Sequence, residues 1–145
     1  MRTIKRIILH CTATREGQPV SVEDVTRWHI ARGFSTIGYH YLIDLEGRTL
    51  EGREECLPGA HCKGLNSTSI GVCYVGGLNR EGIPEDTRTE SQKEALFQLC
   101  DLLQKRYNIP DCEIHCHNEF ARKACPCFSQ EKFLVEFKAW KKKRL

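Results

Sequence analysis

Two stretches of the chain carry apolar side chains on consecutive residues rather than on alternate ones: residues 4–9, in their closing Ile7-Ile8-Leu9, and residues 69–75, Ser-Ile-Gly-Val-Cys-Tyr-Val. Both read as short buried strands. A strand with apolar side chains on both faces has to be covered on both sides, which calls for a central sheet with helices packed against each face. The segments between the runs supply those helices. Ser21-Val22-Glu23-Asp24 has the form of a capping box, and Val25, Trp28, His29 and Arg32 follow at helical spacing before Gly33. Thr89 with Gln92 repeats that signal ahead of an apolar face of Ala95, Leu96, Leu99, Leu102 and Leu103, and Pro110 ends the helix. Ser129 caps a last helix carrying Phe133, Leu134, Phe137 and Trp140.

Residues 39–45 read as a further strand, Glu46-Gly47 as a turn, residues 48–51 as a short return strand, and residues 113–117 as an extended piece. The return strand argues against a purely parallel sheet. The expected fold is α/β, a single domain over residues 1–145 with a central mixed β-sheet flanked by helices.

Composition removes other classes. With 40% hydrophobic and 28% charged residues, the chain is neither disordered nor fibrous. A net charge of +3 is too mild to mark a nucleic-acid partner. No apolar run approaches the ~18–20 residues of a membrane span, and none resembles a signal segment. Nine cysteines, an odd number, do not form a closed disulfide framework, and most read as buried hydrophobes or free thiols.

Two places can carry chemistry. His10 follows directly on the first buried strand, at the end where α/β folds commonly place a site. The second is His115-Cys116-His117-Asn118-Glu119, continuing to Lys123-Ala124-Cys125-Pro126-Cys127. Histidine and cysteine are the usual zinc ligands, and His117 and Cys125 could share one ion, with His10 as a third ligand from another strand. Three ligands and an open fourth position define a catalytic zinc. The competing arrangement is a closed knuckle of Cys112, Cys116, Cys125 and Cys127, although this spacing lacks the usual paired short intervals. Lys123 would stand near the metal as an oxyanion partner, and Tyr39, beside Gly38, could reach into a cleft.

Taken together, several words resemble one family. They are Leu9-His10-Cys11-Thr12-Ala13-Thr14, Trp28-His29, Gly38-Tyr39-His40-Tyr41, Glu51-Gly52-Arg53, His61-Cys62-Lys63-Gly64 with Asn66, Ser69-Ile70-Gly71-Val72-Cys73, Val75-Gly76-Gly77, His117-Asn118-Glu119 and Lys123-Ala124-Cys125-Pro126. In order and spacing they resemble the type-2 N-acetylmuramoyl-L-alanine amidases, which share their fold with peptidoglycan recognition proteins. The resemblance implies that His10, His117 and Cys125 bind Zn2+, that Tyr39 sits beside the reacting water, and that Lys123 sits beside the scissile carbonyl. It further implies substrate contacts from His40 and His61, and leaves His115 structural.

The implied reaction is hydrolysis of the lactyl amide between N-acetylmuramate and L-alanine in peptidoglycan or a muropeptide. The alternative is a peptidoglycan-binding module that does not cut. A monomer is expected, made in the cytoplasm without a signal peptide and acting on the cell wall after release.

Overall fold

In β1 (Arg6–Cys11) the side chains alternate between two different environments. Ile7, Leu9 and Cys11 enter the larger core with Ile70, Val72 and Tyr74 of β5 (Ser69–Tyr74). Leu42, Cys73 and Val75 belong instead to a second, smaller core with Val20, Val25 and Ile37. The period of two along each strand makes this division, and a one-residue slip in register would exchange the two faces.

The structure is a computed structural model describing residues 1–145. Its main sheet runs β4 (Thr49–Glu51), β3 (Tyr41–Ile43), β5, β1, β7 (Ile114–Cys116). All neighbours are parallel except the antiparallel β3–β4 pair. A two-stranded ribbon of β2 (Thr14–Arg15) and β6 (Gly77–Leu78) stands beside it. The mixed sheet expected from the return strand is therefore present.

Helices α2 (Glu90–Tyr107) and α3 (Gln130–Lys142) supply the larger core, and α1 (Val22–Ala31) the smaller. The capping boxes at Ser21 and Thr89 are both formed, and Ser129 accepts from the Lys132 amide. Each such cap is worth ~1 kcal/mol. Between α2 and α3, Phe97 packs against Phe133 and Phe137 at centroid separations of 5.5 and 5.9 Å. Arg88 is sealed beneath this layer, 3.8 Å from the Phe128 ring centroid, and bonds Asp86 and Glu136 at 2.9 Å each.

Three local expectations are corrected. Trp28 and Leu102 lie on the helix faces turned to solvent, at 41% and 49% exposure, because Val25 with His29 and Leu99 with Leu103 define the buried stripes. The third strand begins at Tyr41 rather than Tyr39. Helix α2 ends at Tyr107, ahead of Pro110, where its cap Asn108 takes the left-handed conformation with φ 57°.

Parallel neighbours on both sides of β1 bring the C-terminal ends of β1 and β7 to the same edge of the sheet. His10 and His117, which follows β7 directly, therefore arrive side by side.

Candidate metal centre

His10 occupies the face of β1 opposite the larger core, and only 1% of it is exposed. Its ring lies 4.6 Å from that of His117. The loop after β7 returns Cys125 to the end of β1, where the Cys11 amide donates to its sulfur at 3.2 Å. One ligand atom from each of His10, His117 and Cys125 falls within 4.8 Å of the other two. No other group of three His, Cys, Asp or Glu side chains in the chain has such geometry.

The donor chemistry fits a metal. Nδ1 of His117 is buried without a hydrogen-bond partner, an arrangement that costs about 1–3 kcal/mol unless something binds there. Nδ1 of His10 faces the Cys125 sulfur at 3.9 Å. The Cys125 thiol is held below its ordinary pKa by a hydrogen bond with the Cys11 thiol, against burial, while the Cys11 thiol is pushed up to about 12. Cys125 is thus the member of this pair that ionises first, and a thiolate is what a metal requires. Burial, followed by the nearby His61, His117 and Lys123, lowers the pKa of His10. Burial and Lys123 do the same to His117. Neutral imidazoles and a thiolate form a zinc-type set.

The closed cysteine knuckle is not formed. Cys116 points into the larger core and is fully buried, its thiol pushed above the ordinary range mainly by burial. Cys112 is exposed, and Cys127 directs its sulfur to the Gly77 carbonyl at 3.1 Å. His115 is bracketed by Glu113 and Glu119 at 2.7 and 2.9 Å, a structural role.

A cleft of about 430 Å³ opens over this centre and is lined in part by Tyr39, His61, His117 and Lys123. Arg32 and Lys63 also line it, and no carboxylate does. The Tyr39 ring packs between His10 and His29, at 5.0 and 5.2 Å. Burial foremost, then Cys73, Cys125 and Cys11, raises its phenol pKa, so the group stays protonated and can donate. Lys123 is exposed at the rim and makes no ion pair, which leaves its ammonium free to meet a ligand.

The two histidines implied as substrate contacts lie in different surroundings. His40 is only 1% exposed, its Nδ1 accepts from the Gly71 amide at 3.0 Å, and its Nε2 donates to the Leu57 carbonyl at 2.9 Å. With both nitrogens committed inside the fold, His40 has no polar atom for a substrate. His61 borders the cleft, but its ring nitrogens face His10 and Ser69. Sequence reading assigned no role to Cys11, Asn66 or Ser69, all of which brace the site. The polar Ser69 at the head of an apolar strand, with Gly71 two residues on, was the available signal.

The sequence profile of the Amidase_2 family, described as N-acetylmuramoyl-L-alanine amidase, matches residues 1–128. The chain belongs to this family. Among related amidase-fold proteins, an endolysin of Klebsiella phage KP32 is 36% identical over 140 residues, covering 97% of this chain and 87% of that protein. A peptidoglycan-recognition protein of Drosophila melanogaster is 30% identical over 145 residues, covering 97% of this chain and 76% of that protein. Among solved amidases, N-acetylmuramoyl-L-alanine amidase LysC from Clostridium intestinale URNW superposes with a TM-score of 0.80 at 25% identity, covering 94% of this chain and 87% of that one. The α/β architecture is the amidase architecture.

Proposed function

We propose that this protein is a zinc-dependent N-acetylmuramoyl-L-alanine amidase, cleaving the lactyl amide between N-acetylmuramate and L-alanine in peptidoglycan. The convergence of His10, His117 and Cys125 beneath an open cleft is the observation that carries this reading. His10 and His117 would hold the metal through imidazole nitrogen and Cys125 through sulfur. A zinc ion held there would supply Lewis acidity, of the kind that lowers the pKa of water from about 15.7 to ~7.

The chain's own residues do the remainder. Tyr39, held protonated against His10, orients the attacking water through its hydroxyl; a phenol with so high a pKa is a poor base. Lys123 offers its ammonium to the carbonyl oxygen as negative charge develops on it. Arg32 and Lys63 extend the positive lining along the cleft, where the acidic peptide arm of the substrate can lie. All these side chains come from one chain, so a monomer suffices. The site of action is the cell wall, reached after release from the cell.

A complete ligand set favours hydrolysis over binding without cleavage. The test is digestion of purified peptidoglycan. New L-alanine amino groups should accumulate without new reducing sugars, stop on chelation, and return when Zn2+ is added. Muropeptide binding with no new amino groups would establish a recognition module instead.

A further inference from the structure

We propose that His61 is a positioning residue: a hydrogen-bond relay from the Leu65 carbonyl through Ser69 and His61 holds His10 in the Nε2–H tautomer, leaving Nδ1 as the lone pair that meets the metal. This assignment rests on the metal centre proposed above.

The direction of the relay follows from proton counting. Ser69 Oγ lies 2.7 Å from the Leu65 carbonyl oxygen. Two oxygens at that distance need a proton between them, and the carbonyl has none to give, so the serine proton is spent there. Ser69 Oγ is also 3.2 Å from His61 Nε2, where it can now only accept. His61 therefore carries its proton on Nε2, and Nδ1 of the neutral ring is a lone pair. That lone pair stands 2.8 Å from His10 Nε2, which must donate to it. The nitrogen left over on His10 is Nδ1, the one facing Cys125.

The surroundings hold His61 in this pose. A Cβ at Gly71 would lie 2.7 Å from the His61 ring, and one at Gly59 would lie 2.5 Å from it, so both positions are glycine where the ring needs the space. Asn66 Oδ1 accepts from the backbone amides of His61 and Cys62, at 2.9 Å each. The His10 and His61 rings meet edge to face at 88° and 4.8 Å. Outer partners of this kind typically tune metal affinity by roughly 10–100-fold.

The opposite tautomer would be damaging. Were His61 to carry its proton on Nδ1, it would donate to His10 Nε2 and drive the His10 proton to Nδ1, blocking the ligand atom. Ser69 excludes this state although it touches neither metal nor substrate.

The test begins with the metal-free wild-type protein, labelled with ¹⁵N at histidine and examined by two-bond ¹H–¹⁵N correlation near pH 8. His10 should appear as the Nε2–H tautomer; an Nδ1–H signal overturns the relay. Ser69→Ala should give mixed His61 tautomers and weaken Zn2+ binding, measured by chelator competition, by roughly 10-fold or more. His61→Gln, whose amide can accept from His10 and donate to Ser69, should keep most of the affinity that His61→Leu loses. Wild-type zinc affinity in Ser69→Ala would also overturn the relay. A wild-type protein that binds no zinc would instead overturn the metal centre, while the metal-free spectrum would still decide the tautomer.

Discussion

The sulfur of Cys125 lies 3.9 Å from Nδ1 of His10, although 115 positions of chain separate the two residues. Parallel pairing of β1 with β7 and the return of the loop after His117 produce this approach. Replacing Cys125 with Ser should drop bound zinc well below one ion per chain after dialysis, since an un-ionised hydroxyl is a poor ligand. Because the sulfur takes no part in the larger core's packing beyond its edge, the thermal transition of the metal-free protein should move little. Stoichiometric zinc in Cys125→Ser, measured by elemental analysis, would remove Cys125 from the ligand set.

Lys123 and Tyr39 separate binding from turnover. Lys123→Ala should retain zinc and substrate binding but lose ~10²–10³ in kcat, the usual cost of removing one oxyanion donor. Tyr39→Phe keeps the ring contact with His10 and loses only the hydroxyl, so zinc affinity should hold while kcat falls. Release of L-alanine amino groups under saturating muropeptide measures both.

Gly71 in β5 lies directly against the His61 ring. In Gly71→Ala the new methyl would sit 2.7 Å from that ring and force it aside. A destabilisation of ~1–3 kcal/mol is expected from overpacking, seen as a lower urea midpoint. Zinc affinity should fall with it, because the ring that moves is the partner of His10.

Acid should act through Asp86. Against the upward push of burial, hydrogen bonds from Arg88 and Lys132 lower its pKa from 3.8 to about 2. A carboxyl whose pKa is lower folded than unfolded stabilises the fold fully above 3.8 and loses that contribution as the pH falls through about 2. The contribution is up to about 2 kcal/mol. Asp86→Asn should therefore be less stable at neutral pH and show a flatter loss of stability between about pH 4 and 2 in urea titrations.

Much of the fold was legible because its signals are local. The capping residues Ser21, Thr89 and Ser129 bond amides three positions on, and the consecutive apolar runs declare strands covered on both faces. What failed also has a local explanation. Leu102 and Trp28 fit the apolar period by type, but the direction of a helix stripe depends on what it packs against. Tyr39 sits outside the strand because the regular ladder with β4 begins only at Tyr41: the Tyr39 carbonyl accepts from the Arg53 amide and the His40 carbonyl from the Gly52 amide, both beyond the last residue of β4.

The candidate site divides along the same line. The types and spacing of His10, His117, Cys125, Tyr39 and Lys123 determined by themselves what chemistry could be assembled, since imidazole and thiolate donors carry their ligand character wherever they stand. Only the tertiary structure decided which histidines face the cleft and which nitrogen of each is free. His40 spends both nitrogens on Gly71 and Leu57, and His61 spends both on His10 and Ser69. A side chain's proton position is set by neighbours in space, and those neighbours come from strands, loops and turns far apart along the chain.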